Sequence, residues 1–120
     1  MLRASQLGAA RSHLAAPVLS NIESLSETDI VLHWTLPTHL PYPVEGFFVY
    51  YRPSTSAGEY SKETVLGHSV RHFRIEHLES GQNYEFKLQS FTALAASNFS
   101  AILTGRTLSK FNLNFFSLIF

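Results

Sequence analysis

The sequence predicts an all-β fold: a seven-stranded antiparallel sandwich with Greek-key connections. The first observation is the strict alternation of apolar and polar residues in Tyr84-Glu85-Phe86-Lys87-Leu88-Gln89, which follows a turn-rich run and is typical of a half-buried strand. The second is that about seven such segments follow one another, separated by turn signals at the spacing expected of a sandwich. The third is that no segment has a convincing helical period.

The composition fits one β domain and argues against several classes of function. The chain has 120 residues, 45% of them hydrophobic, with ten Phe and five Tyr, which is enough for a single modest core. Its formal net charge is zero, whereas nucleic-acid binding through bulk charge needs a basic field. It contains no Cys, so disulfides, zinc-thiolate sites and thiol catalysis are excluded.

The first half of the domain supplies three strands. Pro17 opens the domain, residues 18–25 read as an edge strand, and residues 29–35 alternate cleanly. The proline-rich residues 37–43 cannot form a regular ladder and are predicted to be a loop before the strand at 44–52. The side chains predicted to face the core are Ile30, Leu32, Trp34, Phe47, Val49 and Tyr51.

The second half supplies four strands. A short polar strand at 59–66 ends at Gly67-His68-Ser69, and residues 70–77 alternate again with Phe73 and Ile75 facing inward. The alternating stretch that ends at Phe91 is the sixth strand. After a small-residue loop at residues 92–97, the last strand is predicted at 99–107.

Both ends of the chain differ from the domain between them. Residues 1–16 are predicted to be an unstructured extension, and Arg11 and His13 interrupt the apolar run that a secretory signal needs. Residues 108–120 form an apolar tail outside the fold, about half the length of about 20 residues that spans a bilayer. We therefore expect a domain over 17–107 and no transmembrane segment.

A Leu six residues before a strand-opening Tyr predicts a tyrosine corner. In Greek-key sandwiches such a phenol oxygen bonds to backbone upstream and fixes the crossover between strands. Here the pair is Leu78 and Tyr84, and with Trp34 they are the residues on which the predicted core depends.

The order of these features resembles a fibronectin type III domain, an immunoglobulin-like sandwich, over residues 17–107. The residues that carry the resemblance are Pro17, Trp34, Val44-x-Gly46-Phe47-x-Val49-x-Tyr51, Leu78 with Tyr84, and Thr107.

Three further segments narrow the resemblance. Val31-Leu32-His33-Trp34, Tyr50 to Tyr60 and Tyr84 to Phe91 are similar to the membrane-proximal, second fibronectin domain of the Cdo/Boc family of Hedgehog co-receptors. One departure is Thr92-Ala93-Leu94-Ala95-Ala96, which replaces the family's Asn-x-x-Gly, so the resemblance does not predict the conformation of this loop.

The resemblance implies a function without catalysis or a cofactor. It implies a protein-binding module of a receptor on the extracellular side of the plasma membrane. Hedgehog ligand and Patched are the implied partners, and heparan sulfate a further one. The alternative, from a different class, is a structural spacer that holds a partner-binding domain away from the membrane.

One face of the predicted sandwich has the composition of a protein interface. Strands three and six are neighbours in this fold, so exposed aromatic residues should lie beside cations. The predicted protein-binding residues are Phe48, Tyr50, Arg52, Lys87 and Gln89. The alternative is that the tails or a neighbouring domain cover these rings, or that the rings only shield backbone.

Three further motifs are a basic run, a glycosylation sequon and the six histidines. The densest basic run is a candidate polyanion site, with an ordinary solvated strand face as the alternative; its residues are Arg71, His72, Arg74 and His77. Asn98-Phe99-Ser100 is an N-glycosylation sequon. The six His are interpreted as surface residues and not metal ligands, since on a strand His72 and His77 would point to opposite faces.

No catalytic motif is present. The sequence has neither a Gly-x-Ser-x-Gly elbow nor a glycine-rich phosphate loop, and nothing in it places two carboxyl groups in an apolar cleft. An enzyme is therefore not expected. An active-site pocket with convergent acids would be the observation that changes this view.

Overall fold

The structure, a computed structural model, describes residues 14–37 and 43–109. The predictions for residues 1–13 and 110–120, and for most of the proline-rich loop, lie outside the described residues. Within the described ranges, no helix is long and apolar enough to cross a membrane.

The described residues form seven antiparallel strands in two sheets, which confirms the predicted sandwich. One sheet has the order β1-β2-β5 and the other the order β4-β3-β6-β7. The strands are β1 Val18–Ser24, β2 Ile30–Thr35, β3 Gly46–Pro53, β4 Ser61–Leu66, β5 His72–Ile75, β6 Asn83–Phe91 and β7 Leu103–Arg106. Sequential strands β1–β2, β3–β4 and β6–β7 pair as neighbours, and the chain changes sheets after β2, β4 and β5.

The inward residues of both sheets form one core, as the alternation predicts. Trp34 from β2 packs on Phe47 from β3 with ring centroids 5.2 Å apart, which joins the two sheets at their centre. The core reaches upstream of the strands, because Leu14 is buried in it. At the far side of the sandwich, Gly105 lies so close to Ile22 that an added Cβ would approach the Ile22 Cγ2 to 2.5 Å. Gly105 therefore allows β1 and β7 to close one edge of the sandwich.

The turn before β6 is held by the tyrosine corner. The Tyr84 ring is buried, and its hydroxyl accepts a hydrogen bond of 2.9 Å from the backbone N–H of Glu79. Leu78 is buried beside it. The Thr107 hydroxyl donates to the Glu79 carbonyl at 2.6 Å and accepts from the Gln82 N–H at 3.0 Å, so the end of β7 is tied to the same turn.

Strand β5 is shorter than predicted. It ends at Ile75, and His77 has a φ of 63°, in the left-handed region that non-glycine residues rarely adopt. The alternation argument that placed His72 and His77 on opposite faces therefore does not apply, because His77 lies beyond the strand.

Strand β7 starts at Leu103, not at 99, because the chain before it bulges. Ser97 and Ser100 stand three residues apart, but their partners on β6, Ser90 and Leu88, stand only two apart. The bulge is held by side chains: the Ser97 hydroxyl accepts from the Ser90 N–H and the Ser100 hydroxyl from the Leu88 N–H, each at 3.0 Å. We call residues 97–100 the serine-braced bulge. An extra residue in one strand of a pair is what defines a β-bulge.

Candidate functional site

The register of β3 and β6 brings the predicted protein-binding residues together. Phe48 lies opposite Gln89, and Tyr50 lies opposite Lys87. All five predicted residues are half-buried on the outer face of the four-stranded sheet. The fifth, Arg52, lies opposite Glu85 and not opposite a predicted partner.

Tyr50 is at the centre of this face. Its hydroxyl donates to Gln89 Oε1 at 2.9 Å. Its ring meets Tyr60 and Phe99 edge-on, with centroid distances of 6.4 Å and 5.1 Å. Edge-to-face contacts of this kind add to the free energy of burial, about 0.5–1.5 kcal/mol per pair.

Two lysines lie over these rings. The Lys87 ammonium is 3.9 Å from the centroid of Phe99 and 4.3 Å from that of Tyr60. The Lys62 ammonium is 3.9 Å from the centroid of Phe48, which is itself stacked on Phe91 at 4.2 Å. These are cation–π distances. Cations and rings thus alternate across the sheet in what we call the aromatic–cation ladder, formed by Phe48, Tyr50, Arg52, Tyr60, Lys62, Lys87, Phe91 and Phe99.

One end of the ladder is an ion pair. Arg52 Nε donates to Glu85 Oε1 at 2.5 Å, and the Tyr60 hydroxyl donates to the same oxygen at 2.7 Å. The Arg52 guanidinium also lies over the Tyr60 ring at 4.2 Å and donates to the Gly58 carbonyl, which ties down the β3–β4 turn. The charge of Arg52 is therefore largely compensated within the chain.

The hydrogen bonds at this end of the ladder shift the pKa values of Glu85 and Tyr60 in opposite directions. The hydrogen bond from Tyr60, and then that from Arg52, hold the pKa of Glu85 below its ordinary value. Partial burial, and then the bond to Glu85, raise the pKa of Tyr60. At neutral pH the carboxyl is thus charged and the phenol protonated, which is the state that the hydrogen bonds require.

The ladder includes four residues, Tyr60, Lys62, Phe91 and Phe99, that are not among the five predicted from the sequence. Alternation alone could have found Phe91, which shares the parity of Lys87 and Gln89, whereas Lys62 lies opposite Tyr50 only through the pairing of β3 with β4. Phe99 had no such signal, because the serine-braced bulge sets its direction. The ladder has three cations, Arg52, Lys62 and Lys87, against the one carboxylate of Glu85 that bonds to Arg52, so this group of residues is net positive.

The two arginines among the predicted polyanion-binding residues are directed to different partners. Arg71 donates to the carbonyls of His68 and Val70, both at 2.8 Å. Arg74 donates through two nitrogens to Asp29 Oδ2, at 2.8 Å and 2.6 Å. The hydrogen bond from Thr28, and then that from Arg74, lower the pKa of Asp29, so this pair is ionised at neutral pH.

The histidines of the three-stranded sheet form a loose group. The rings of His33 and His72 lie across β2 and β5 with centroids 6.1 Å apart, and His33 Nε2 is 3.4 Å from Glu23 Oε1. In the part of the chain that the structure describes, no three His, Cys, Asp or Glu residues are placed to hold a metal ion.

A cleft of about 450 Å³ opens between the edges of β4 and β5. Its lining includes Tyr51, Tyr84 and three glutamates, Glu63, Glu76 and Glu79. All three glutamates line the cleft but are exposed to solvent, whereas a catalytic carboxyl pair depends on burial that drives the two pKa values apart. The cleft does raise the pKa of Tyr51, through burial and then the charge of Glu63.

The comparisons with known proteins agree with this architecture. A family model for the fibronectin type III domain matches residues 15–106. Over 103 residues, 85% of this chain, the sequence is 53% identical to Interference hedgehog of Drosophila virilis and 50% identical to that of Drosophila melanogaster. The chain spans only 11% and 12% of the length of these two relatives.

Solved structures support the fold at low identity. The FN1–FN3 domains of chicken CNTN1 align with a TM-score of 0.70 and 18% identity, over 80% of this chain and 33% of that one. The third fibronectin III domain of human KIAA0343 aligns with a TM-score of 0.68 and 17% identity, over 82% and 86%. Given the family match over most of the chain and the two-sheet topology, this protein belongs to the fibronectin type III domain family.

Proposed function

We propose that this chain is a non-catalytic protein-binding module of a Hedgehog co-receptor, on the extracellular side of the plasma membrane. In this proposal it contributes to complex formation between Hedgehog ligand and Patched. The single observation that carries the proposal is the identity of about one half to the relatives named Interference hedgehog, over nearly the whole domain.

The aromatic–cation ladder supports a binding role for one particular face. Interfaces are enriched in aromatic residues and arginine, and cations steer acidic partners toward them. Phe99 remains 43% exposed although it contacts Tyr50 and Lys87, so an apolar edge of the ladder stays open to solvent. We therefore assign the partner contact to this face, and expect an acidic surface on the partner.

The second candidate function is that of a structural spacer, and one feature of the ladder favours it. Most polar groups of the ladder are satisfied within the chain: Arg52 by Glu85, Tyr50 by Gln89, and both lysines by rings. Such a face needs no partner to satisfy these groups. Binding and stability must therefore be measured on the same variants.

The experiment compares lysine variants for binding of Hedgehog ligand and of Patched by surface plasmon resonance. Lys62→Met and Lys87→Met keep most of the side-chain volume and remove the charge. Arg106→Met is the matched control, because Arg106 is an exposed cation on the neighbouring strand β7 and, among the described residues, lies over no ring. Intact Interference hedgehog is the positive control, and Trp34 fluorescence reports folding.

We expect the combined lysine variant to bind about tenfold more weakly or worse, with a smaller dependence on salt, and the arginine variant to bind as wild type. Equal binding by all folded variants would remove the ladder from the interface. Failure of the wild-type chain to bind either protein, under conditions where the intact relative binds, would favour the spacer.

Heparan sulfate is a subsidiary proposal. Of the four candidate residues Arg71, His72, Arg74 and His77, the two arginines donate to separate partners within the chain, so we expect only weak, salt-sensitive binding. Of the four, Arg74 retains a side chain that is 55% exposed and His72 is exposed next to it on the outer face of β5. Heparin retention of His72→Ala equal to that of wild type would exclude a contribution from this residue.

A further inference from the structure

The sequon at Asn98 lies on the serine-braced bulge. It is the only Asn-x-Ser/Thr triplet in the chain. Asn98 is exposed, and its neighbour Phe99 contacts the ladder on the outer face of the sheet. Covalent attachment of a glycan to the Asn98 amide is therefore compatible with the folded domain.

The third residue of the sequon is in the opposite situation. Ser100 is only 7% exposed, and its hydroxyl accepts from the Leu88 N–H at 3.0 Å and donates to the Ala101 carbonyl at 3.1 Å. Its backbone N–H also donates to the Leu88 carbonyl at 2.8 Å. Recognition of an Asn-x-Ser sequon requires the hydroxyl two residues after the asparagine. In the folded domain this hydroxyl is not available.

We infer that Asn98 is an N-glycosylation site that is modified only before the bulge has paired with β6. In the reaction, the Asn98 amide nitrogen forms a bond to C1 of an oligosaccharide carried on a lipid pyrophosphate. The C1–O bond to the pyrophosphate breaks, the lipid pyrophosphate leaves, and the amide gives up one proton. Folding then buries the Ser100 hydroxyl and leaves the glycan on the exposed amide.

The position of the site also has a consequence for the candidate interface. Phe99 follows Asn98 directly. Its ring contacts the Tyr50 ring, and its centroid lies 3.9 Å from the Lys87 ammonium. A glycan on Asn98 therefore starts at the margin of the aromatic–cation ladder and limits which partners approach it from the β7 side. This inference rests on the extracellular placement proposed above, since only chains that enter the secretory pathway meet the transferase.

The first test asks whether the site is used, independently of how the chain reaches the membrane. The full chain is translated behind a supplied cleavable signal sequence in the presence of microsomes. We expect one glycan, removed by peptide N-glycosidase and located on Asn98 by mass spectrometry, in wild type and in Ser100→Thr. Asn98→Gln and Ser100→Ala should carry none. An unmodified wild-type chain in the microsome lumen would overturn the inference, while leaving the proposed function untouched.

The second test asks whether folding closes the site. Purified oligosaccharyltransferase and lipid-linked oligosaccharide are offered the folded full chain, and separately a synthetic peptide of residues 94–104. We expect the peptide to be modified at least about tenfold faster, because the folded chain must first open locally to expose the hydroxyl. Equal rates would show that pairing of the bulge does not gate the reaction and would overturn that part of the inference.

Discussion

Replacing Lys87 with Met tests whether the aromatic–cation ladder stabilises the domain. The methionine keeps most of the stem that packs on the sheet and removes only the ammonium, which lies 4.3 Å from the Tyr60 centroid and 3.9 Å from that of Phe99. A cation–π contact contributes about 0.5–1 kcal/mol at an exposed site and more when desolvated. For two close rings around a half-buried lysine, we expect a loss of about 1–2 kcal/mol.

The assay is urea unfolding followed by Trp34, which is the only tryptophan and is buried in the core. With a slope of about 2 kcal/mol per molar urea, the midpoint should fall by about 0.5–1 M. A lysine that was simply exposed would change stability by about 0.5 kcal/mol or less, which is what we expect of the Arg106→Met control.

A double-mutant cycle separates the ring contact from other effects of the substitution. Phe99→Leu removes the ring but keeps an apolar side chain, and combined with Lys87→Met it should show a coupling of about 0.5–1 kcal/mol. If the two changes are additive, or if Lys87→Met unfolds at the same urea concentration as Arg106→Met, the ladder is a geometric coincidence without energetic consequence.

Three further predictions concern the corner, the bulge and the ion pair. Tyr84→Phe should lower the free energy of unfolding by about 1–3 kcal/mol in urea, because the Glu79 N–H loses its acceptor. Ser100→Ala should cost a similar amount, about 1–3 kcal/mol by the same assay, since the Leu88 N–H is left unpaired. The depressed pKa of Glu85 predicts stability that is full above its ordinary value of 4.5 and is lost as the pH falls through the folded value. Thermal unfolding from neutral pH to about pH 3 should therefore show a smaller decline in Glu85→Gln than in wild type.

Alternation in the sequence was enough to predict most of the fold. A period of two identifies which side chains face the core, and the Leu78–Tyr84 spacing identifies the corner, because both depend on local backbone geometry. Once the order of strands is known, the pairing of β3 with β6 follows, and with it the neighbourhood of Tyr50 and Lys87. The core-facing side chains and the corner need no information about distant contacts, whereas the pairing of β3 with β6 rests on the strand order of the fold.

The positions of Lys62 and Phe99 depend on contacts that no local pattern encodes. Strand β4 is polar and mostly exposed, so nothing in its sequence shows that Lys62 lies over Phe48. Phe99 was assigned to a regular strand, and in a regular strand its direction would follow from parity. The bulge changes that direction through two serine hydroxyls whose partners are about ten residues away in the chain.

The same two hydroxyls protect an edge of the sheet. Strand β7 pairs only with Asn83–Phe86 of β6. Without the two serine hydroxyls, the N–H groups of Leu88 and Ser90 further along β6 would be open to pairing with a strand from another molecule, which is a common origin of aggregation. Here the hydroxyls of Ser100 and Ser97 accept from these two N–H groups, in place of the backbone carbonyls of a regular strand. A second chain would find the N–H groups of Leu88 and Ser90 already bonded to serine hydroxyls. These two donors are thus occupied without a charge or a proline in residues 97–102.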